Sequence, residues 1–318
     1  REYRQAGYLA ESMVNFIGEF ILAFLVKLKK IKPDIILLLG DRAEMLAAAI
    51  AGAYLTIPVA HIHGGDVSST IDEIARHSIT KLSHIHFAAT KKSAERIIKM
   101  GEEPWRVYTV GAPGLDAILN EKSLSISEIA KKYNLDLTKP VLIVIQHPET
   151  AEVENAGKHM IETMEALKAL GYASIVIYPN ADAGGRKMIE VIRRYREFPH
   201  IQIYNNIPHA EFISLMKAAS AIVGNSSSGI IESSSLRLPA VNIGMRQDGR
   251  ERAMNIIDTN HNRENIKKAI KMAVHDKCFK EIVKENKNPY GDGKAGVRIS
   301  KILSTIIINK RLLQKKER

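Results

Sequence analysis

The 318-residue chain is about twice the usual length of a single domain, which sets two domains as the prior. Its 45% hydrophobic content can bury a core in each half and excludes a chain that is disordered, collagen-like or coiled coil throughout. The net charge of +11 comes with only 6% aromatic residues and no nucleic-acid reading motif, so no nucleic-acid partner is expected, and the basic excess suits a phosphorylated ligand.

The first apolar stretch, Phe16–Val26, is interrupted by Glu19 and runs into Lys27, Lys29 and Lys30. It falls short of the ~18 residues of a membrane span and reads as a buried helix, with no membrane partner. Four candidate strands follow, Asp34–Gly40, Ile57–His61, His84–Ala89 and Arg106–Gly111, separated by helical stretches at Glu44–Leu55, Ile71–Leu82 and Lys91–Met100. The rhythm breaks over Asn120–Pro140, a polar segment with room for one short helix, where the domain boundary is placed. Strands resume at Val141–Gln146, Ala173–Tyr178, Ile201–Tyr204, Ala221–Gly224 and Ala240–Ile243, with helices His159–Leu170 and Arg186–Tyr195 among them. DIILLLG and VLIVIQ are nearly continuous apolar runs, the mark of strands buried on both faces. Strands alternating with helices imply parallel sheets and right-handed crossovers, hence an α/β fold of two Rossmann-like domains with a ligand cleft at their carboxyl strand ends. The expected domains are 1–135, 136–294, and 295–318 as a closing helix (about Ala295–Ile308) that docks on the first domain, plus a tail. That tail carries Lys310, Arg311, Lys315, Lys316 and Arg318 and reads as solvated. Cys278 is the one cysteine, which excludes a disulfide framework and a cysteine zinc cluster and suits a reducing cytoplasm.

Polar clusters lie beside these strands. Gly40-Asp41-Arg42 ends the first, where Asp41 alone reads as the N-cap of the next helix. His61-Ile62-His63-Gly64-Gly65-Asp66 follows the second; its alternate histidines lack a third ligand at fixed spacing, so no metal is expected. Asp72-Glu73-Ile74-Ala75-Arg76-His77 is helical and places Asp72 with Arg76, and Glu73 with His77, at i,i+4. His84-Ile85-His86 opens the next strand. Together these form a denser set of proton carriers than a structural role requires. In the second half, Gly224-Asn225-Ser226-Ser227-Ser228-Gly229-Ile230-Ile231-Glu232 leads from a strand into a helix, the pattern of an anion site. Gln146-His147-Pro148 and Pro179–Gly184 (PNADAG) end two other strands of that half. Three such loops on one sheet edge point to a nucleoside diphosphate.

GDR at 40–42, HIHGGDVSSTIDEIARHSITKLSHIHF at 61–87, QHP at 146–148, PNADAG at 179–184, GNSSSGIIE at 224–232 and YGDG at 290–293 together resemble the UDP-N-acetylglucosamine 2-epimerase family, closest to its hydrolysing branch. The resemblance covers nearly the whole chain. It implies two Rossmann-like domains facing across a cleft (GT-B-like), a UDP-sugar substrate, no cofactor or metal, a cytoplasmic setting, and a homodimer or homotetramer. It also implies roles. His147, Asn180, Asp182, Ser226 and Ser227 hold UDP, with Glu232 on the ribose. Asp41, Asp72, Arg76, His84 and His86 line the sugar side, and Glu73 joins them among the candidate catalytic residues. The implied chemistry removes the C2 proton, expels UDP to leave a 2-acetamidoglucal, and adds water. Many relatives carry glutamate at the position of His63, which is assigned to proton transfer. The family's opening Gly/Thr/Arg loop has no counterpart before the first helix, so the first domain is expected to be N-terminally truncated. A non-hydrolysing epimerase, a hydrolysing epimerase of a diacetamido-6-deoxy sugar nucleotide, a UDP-sugar glycosyltransferase and a non-catalytic UDP-sugar sensor are the alternatives.

Overall fold

The computed structural model describes residues 2–67, 72–120, 123–149, 152–180 and 182–316, with side chains from Val14 onward except that of Asp72. The chain divides into two compact units, 1–113 with 294–318, and 114–293. Both are α/β with parallel sheets, as expected.

The first unit begins with α1 (Glu2–Ile31), followed by β1 (Ile36–Leu39), α2 (Ala43–Tyr54), β2 (Val59–Ile62), α3 (Asp72–Leu82), β3 (Ile85–Ala88), α4 (Lys91–Lys99) and β4 (Val107–Thr109). Its sheet has the order β1-β2-β3-β4, all parallel, with Leu38 opposite His61 and His61 opposite His86. Two burial expectations are corrected here. Phe16–Val26 is helical but not buried: Phe20, Phe24 and Leu28 pack against the β1–α2 core, while Leu22 and Val26 are each 67% exposed. DIILLLG is buried on one face only, because β1 is an edge strand whose Ile36 and Leu38 point into the core while Leu37 and Leu39 are exposed.

The second unit contains α5 (Pro113–Asn120), α6 (Ile126–Lys132), β5 (Val141–Ile145), α7 (Ala156–Leu170), β6 (Ala173–Ile177), α8 (Gly185–Arg193), β7 (Ile201–Tyr204) and α9 (His209–Ala218). It continues through β8 (Ala221–Gly224), α10 (Glu232–Ser235), β9 (Ala240–Ile243), β10 (Ile256–Thr259), α11 (Arg263–His275) and α12 (Lys277–Lys284). The strand order is β10-β9-β8-β5-β6-β7, so the sheet grows outward in both directions from the β5/β8 pair. β5 is buried along its whole length, as a central parallel strand should be. β10 escapes sequence reading because its segment Ile256–Thr259 is short, carries Asp258 and forms the partly exposed edge.

The polar segment 120–140 is not the domain boundary. Ser125 and Glu128 form a capping box that starts α6. Ile129 and Tyr133 then enter the second unit's core, and the Tyr133 hydroxyl donates to Glu211 at 2.8 Å. Residues 114–135 therefore belong with the second unit, and the division falls after Pro113.

The chain closes on the first unit with α13 (Ala295–Thr305) and α14 (Lys310–Leu313). Ile299 and Leu312 join Ile85, Phe87 and Val110 in one core. The expected solvated tail is instead docked. Fully buried Arg106 donates to the carbonyls of Arg311 (2.7 Å), Leu312 (2.7 Å) and Gln314 (3.0 Å). Lys315 donates to the carbonyls of Lys81 and Ser83 and to the buried carboxylate of Glu102 at 2.8 Å. Basic residues stay in place here because helix-end carbonyls and a buried carboxylate need donors.

Replacing Arg106 with Leu removes those donors and leaves several carbonyls unpaired. The first unit should lose about 2–4 kcal/mol in urea unfolding, and limited proteolysis should cut residues 309–316 ahead of the rest. An unchanged cleavage pattern would show that the tail is held by its apolar contacts alone.

Candidate functional site

In the first unit the functional groups gather at the carboxyl ends of β1 and β2. Gly40 leaves β1 with φ 81°, a conformation open to glycine, and turns the chain so that Asp41 follows. His61, fully buried on β2, donates through Nε2 to the Gly40 carbonyl at 2.8 Å and so fixes that turn. Burial holds its imidazole far below the ordinary range, at about 3, so it is neutral and structural. Asp41 does not cap α2; the cap position is Arg42, without a side-chain bond, and Arg42 pairs outward with Glu44. Asp41 instead accepts from the guanidinium of Arg76, which projects from α3 and is 3% exposed. The same guanidinium donates to the Asp66 carbonyl at 2.7 Å, joining the loops after β1 and β2.

The loop 63–66 is held tightly. His63 takes the left-handed conformation (φ 67°), and its Nδ1 lies 3.0 Å from Asp66 Oδ2. The other carboxylate oxygen of Asp66 accepts from Ser93 Oγ at 2.7 Å. His61 and His63 therefore serve different partners and do not converge on a common ligand. Asp72 and Glu73 open α3, four and three residues before Arg76. The side chain of Asp72 lies outside the described residues, and that of Glu73 is half-buried.

The histidines at 84 and 86 belong elsewhere. His84 precedes β3, at the amino end of the sheet, where its Nδ1 accepts from the Val59 amide at 3.2 Å. Burial first, then Lys315 and Arg106, push its imidazole down to about 4. His86 sits inside β3, fully buried, with Nε2 3.2 Å from Glu102 Oε2. Burial keeps His86 neutral; burial also raises the Glu102 carboxyl, but donors His86 and Lys315 outweigh it and bring it to about 2. This pair is part of the clamp on the C-terminal tail, so the sugar-side assignment of His84 and His86 is corrected. A strand alternates sides and has two ends, and the motif alone shows neither.

In the second unit the sheet order reverses between β5 and β8, and in open parallel sheets ligands bind at such a switch point, beyond the carboxyl ends. His147 and Asn225 occupy it. The His147 amide donates to Asn225 Oδ1 at 2.7 Å, and Asn225 Nδ2 returns a bond to the His147 carbonyl at 2.9 Å. Gly224 reaches this point at φ 127°, pressed so closely on the Ile145 carbonyl that no side chain fits. The Asn180 amide donates to His147 Nδ1 at 3.1 Å, which leaves the ring proton on Nε2, available to donate. Burial, then Arg246, push this imidazole down to about 4, so the ring is neutral at pH 7.

Asn180 Nδ2 also donates to Asp182 at 2.6 Å. Ser226 caps the short turn Ser227–Gly229, which carries Ser227 on the same edge. Glu232 follows at the start of α10, its Oε2 enclosed with no hydrogen-bond partner among the described residues and its carboxyl pushed up by burial. An enclosed carboxyl oxygen of that kind suits a hydroxyl donor such as a ribose.

Sequence reading missed Arg246 and Gln247. The loop after β9 (GMRQDGRER) brings Arg246 to the Asn225 carbonyl (3.3 Å) and within 4.0 Å of Asp182, and Gln247 Nε2 to the same carbonyl (2.8 Å). The signal was present: a glycine and clustered arginines directly after a buried strand, the criterion that selected the other loops.

His61, His84 and His147 are held neutral by the fold, against an ordinary value of 6.5. Each folded value is depressed, so the unfolded chain binds the protons first as pH falls. Their stability contribution is complete above about pH 6.5 and drains away toward pH 4, by up to about 1.4 kcal/mol per pH unit per group. Urea unfolding should give a clear fall in stability from pH 7 to pH 5, and a flat profile would overturn the buried neutral assignments.

A family model described as UDP-N-acetylglucosamine 2-epimerase matches residues 6–304. The UDP-N,N'-diacetylbacillosamine 2-epimerase (hydrolyzing) of Legionella pneumophila is 40% identical over 304 residues, covering 96% of this chain and 79% of that protein. The UDP-N-acetylglucosamine 2-epimerase of Neisseria meningitidis serogroup B is 34% identical over 280 residues, covering 86% of this chain and 74% of that protein. Among solved structures, UDP-GlcNAc 2-epimerase from Neisseria meningitidis bound to UDP-GlcNAc shares the fold, with a TM-score of 0.82 at 20% identity over 92% of this chain and 82% of that one. With the profile matching nearly end to end and two relatives above 30% identity across most of both chains, this chain belongs to the UDP-N-acetylglucosamine 2-epimerase family.

Proposed function

We propose that the chain is a hydrolysing 2-epimerase of a UDP-linked 2-acetamido sugar. The observation that carries the nucleotide half of this reading is the His147–Asn225 pair at the β5/β8 switch point. A neutral imidazole with its proton on Nε2 donates to a diphosphate without needing charge. Arg246 supplies positive charge beside it, the Ser226–Ser227 turn supplies hydroxyls and amides, and Glu232 takes the ribose hydroxyls. Asn180 and Asp182 shape the same edge.

The proton-transfer half is assigned to the first unit. Asp41 and Asp72 are the carboxylate candidates, Glu73 stands beside them, Arg76 orients Asp41, and His63 takes the C2 proton. Loss of that proton forms the C1–C2 double bond as the C1–O bond to UDP breaks, and UDP leaves with the electron pair. Water then adds at C1 while C2 is protonated from the other face. Each step needs an acid or base near pH 7, which histidine and carboxylates supply.

The diacetamido substrate is favoured over UDP-N-acetylglucosamine by the Legionella relative, the more similar of the two described above. Incubation with each nucleotide sugar in D₂O separates the readings. Free UDP and a free sugar deuterated at C2 are expected, fastest with UDP-N,N'-diacetylbacillosamine. An epimeric UDP-sugar instead would select the non-hydrolysing reaction, and binding without turnover would select a sensor.

Two substitutions test the halves separately. Ser227→Glu puts a negative charge where the diphosphate is assigned, and calorimetry should show UDP affinity weakened about 100-fold in a folded protein. Asp72→Asn should keep UDP affinity and lower turnover by ~10²–10⁴-fold, whereas near-normal turnover would remove Asp72 from proton transfer.

A further inference from the structure

The backbone at His63 is costly and deliberately held. A residue with a side chain in the left-handed region bears a steric cost that the right-handed backbone avoids. Several contacts keep it there. The His63 amide donates to the Phe87 carbonyl at 3.1 Å, and Arg96 donates to the Gly65 carbonyl at 2.7 Å. Gly65, at φ 73°, lies so close to the Ser93 carbonyl and Ile97 of α4 that a side chain would force the loop away. That close approach is what brings Ser93 within reach of Asp66.

The donors and acceptors then assign themselves. Asp66 is buried, and as a carboxylate it accepts only. Ser93 spends its one hydroxyl proton on Asp66 Oδ1. Thr90 Oγ1, 2.9 Å from Ser93 Oγ, must therefore be the donor of that bond, and it accepts the Ser93 amide at 3.1 Å. The remaining oxygen, Oδ2, faces His63 Nδ1, which can meet it only by carrying a proton. Among the described residues Nε2 has no hydrogen-bond partner, and the side chain is partly open to solvent.

We propose that Asp66, backed by Ser93 and Thr90, is a positioning residue that fixes His63 with the proton on Nδ1, so that the Nε2 lone pair is presented to the substrate. The inference rests on the reading of His63 as the group that takes the C2 proton. A carboxylate at position 63 would need no such partner, because its two oxygens are equivalent bases, whereas an imidazole is a base only at the nitrogen that lacks the proton.

The test joins a readout of the ring itself with a kinetic cycle. Nitrogen-15 NMR of the ligand-free full chain, with the His63 signals identified by their loss in His63→Gln, should show Nδ1 protonated and Nε2 bare. In Asp66→Asn the amide can donate to Nδ1, and the ring should shift toward the Nε2-protonated form while the circular-dichroism spectrum stays native. In turnover, Asp66→Asn should lower kcat by ~10²–10⁴-fold with KM little changed, and Asp66→Glu should restore part of it. In a His63→Glu background, adding Asp66→Asn should change kcat by less than about 3-fold, since no tautomer is left to select. An Nε2-protonated ring in the parent protein, or an undiminished loss in the His63→Glu background, would overturn the proposal. Failure of any UDP-sugar to react would refute the proposed function instead, and the ring's protonation would still decide the role of Asp66.

Discussion

The arrangement of the first unit's site depends on one buried cation. Arg76 is almost fully enclosed, and a guanidinium cannot shed its charge, so its surroundings must supply acceptors in matching directions. It finds Asp41 after β1 and the Asp66 carbonyl after β2. Two loops on adjacent strands are thereby tied to a third element, α3, and the ionisable groups they carry are set on one edge. Without the arginine, Asp41 would be a partly buried carboxylate with no cation, and the loop carrying His63 would lose its anchor to α3.

The second unit joins its loops chiefly through amides, with one arginine beside them. The loops after β5 and β8 meet through a reciprocal amide pair, His147 with Asn225, and Arg246 and Gln247 both donate to the Asn225 carbonyl. Backbone and side-chain amides orient the loops, and the ionisable groups are left for the ligand. Such a frame suits the diphosphate proposed above, since fixed donors need no rearrangement when charge arrives.

The unused histidines follow the same physics in reverse. His61, His84 and His86 lie in the first unit's sheet or at its amino edge, where burial keeps them neutral and each spends its ring nitrogen on a backbone group or on Glu102. Glu102 in turn holds Lys315, three residues past Leu312, which joins the core built on β2 and β3. Histidine density in this stretch therefore reflects two jobs, one structural and one at the loop 63–66. Composition alone does not separate them.

Local physics made much of this legible in advance. Apolar runs with helices between them specified parallel sheets, because strands covered on both faces read that way; VLIVI behaves accordingly, whereas DIILLLG is covered on one face only. Glycine-rich and hydroxyl-rich loops directly after strands marked the carboxyl edges, since only loop backbone can approach a phosphate closely. What the tertiary structure decided were matters of direction and partner. The edge position of β1 exposed Leu37 and Leu39, and the packing of α6 moved residues 114–135 into the second unit. Arg106 and Glu102 converted a basic tail into a docked one. The assignment of His84 to the amino edge, of Asp41 to Arg76 rather than a helix cap, and of Asp66 to His63 all depend on residues far apart in sequence or on a loop held by α4. A sequence records which groups are present and their local spacing. Which of them meet is set by how sheets order and helices cover them, because a buried charge or amide must find its complement wherever the fold has placed one.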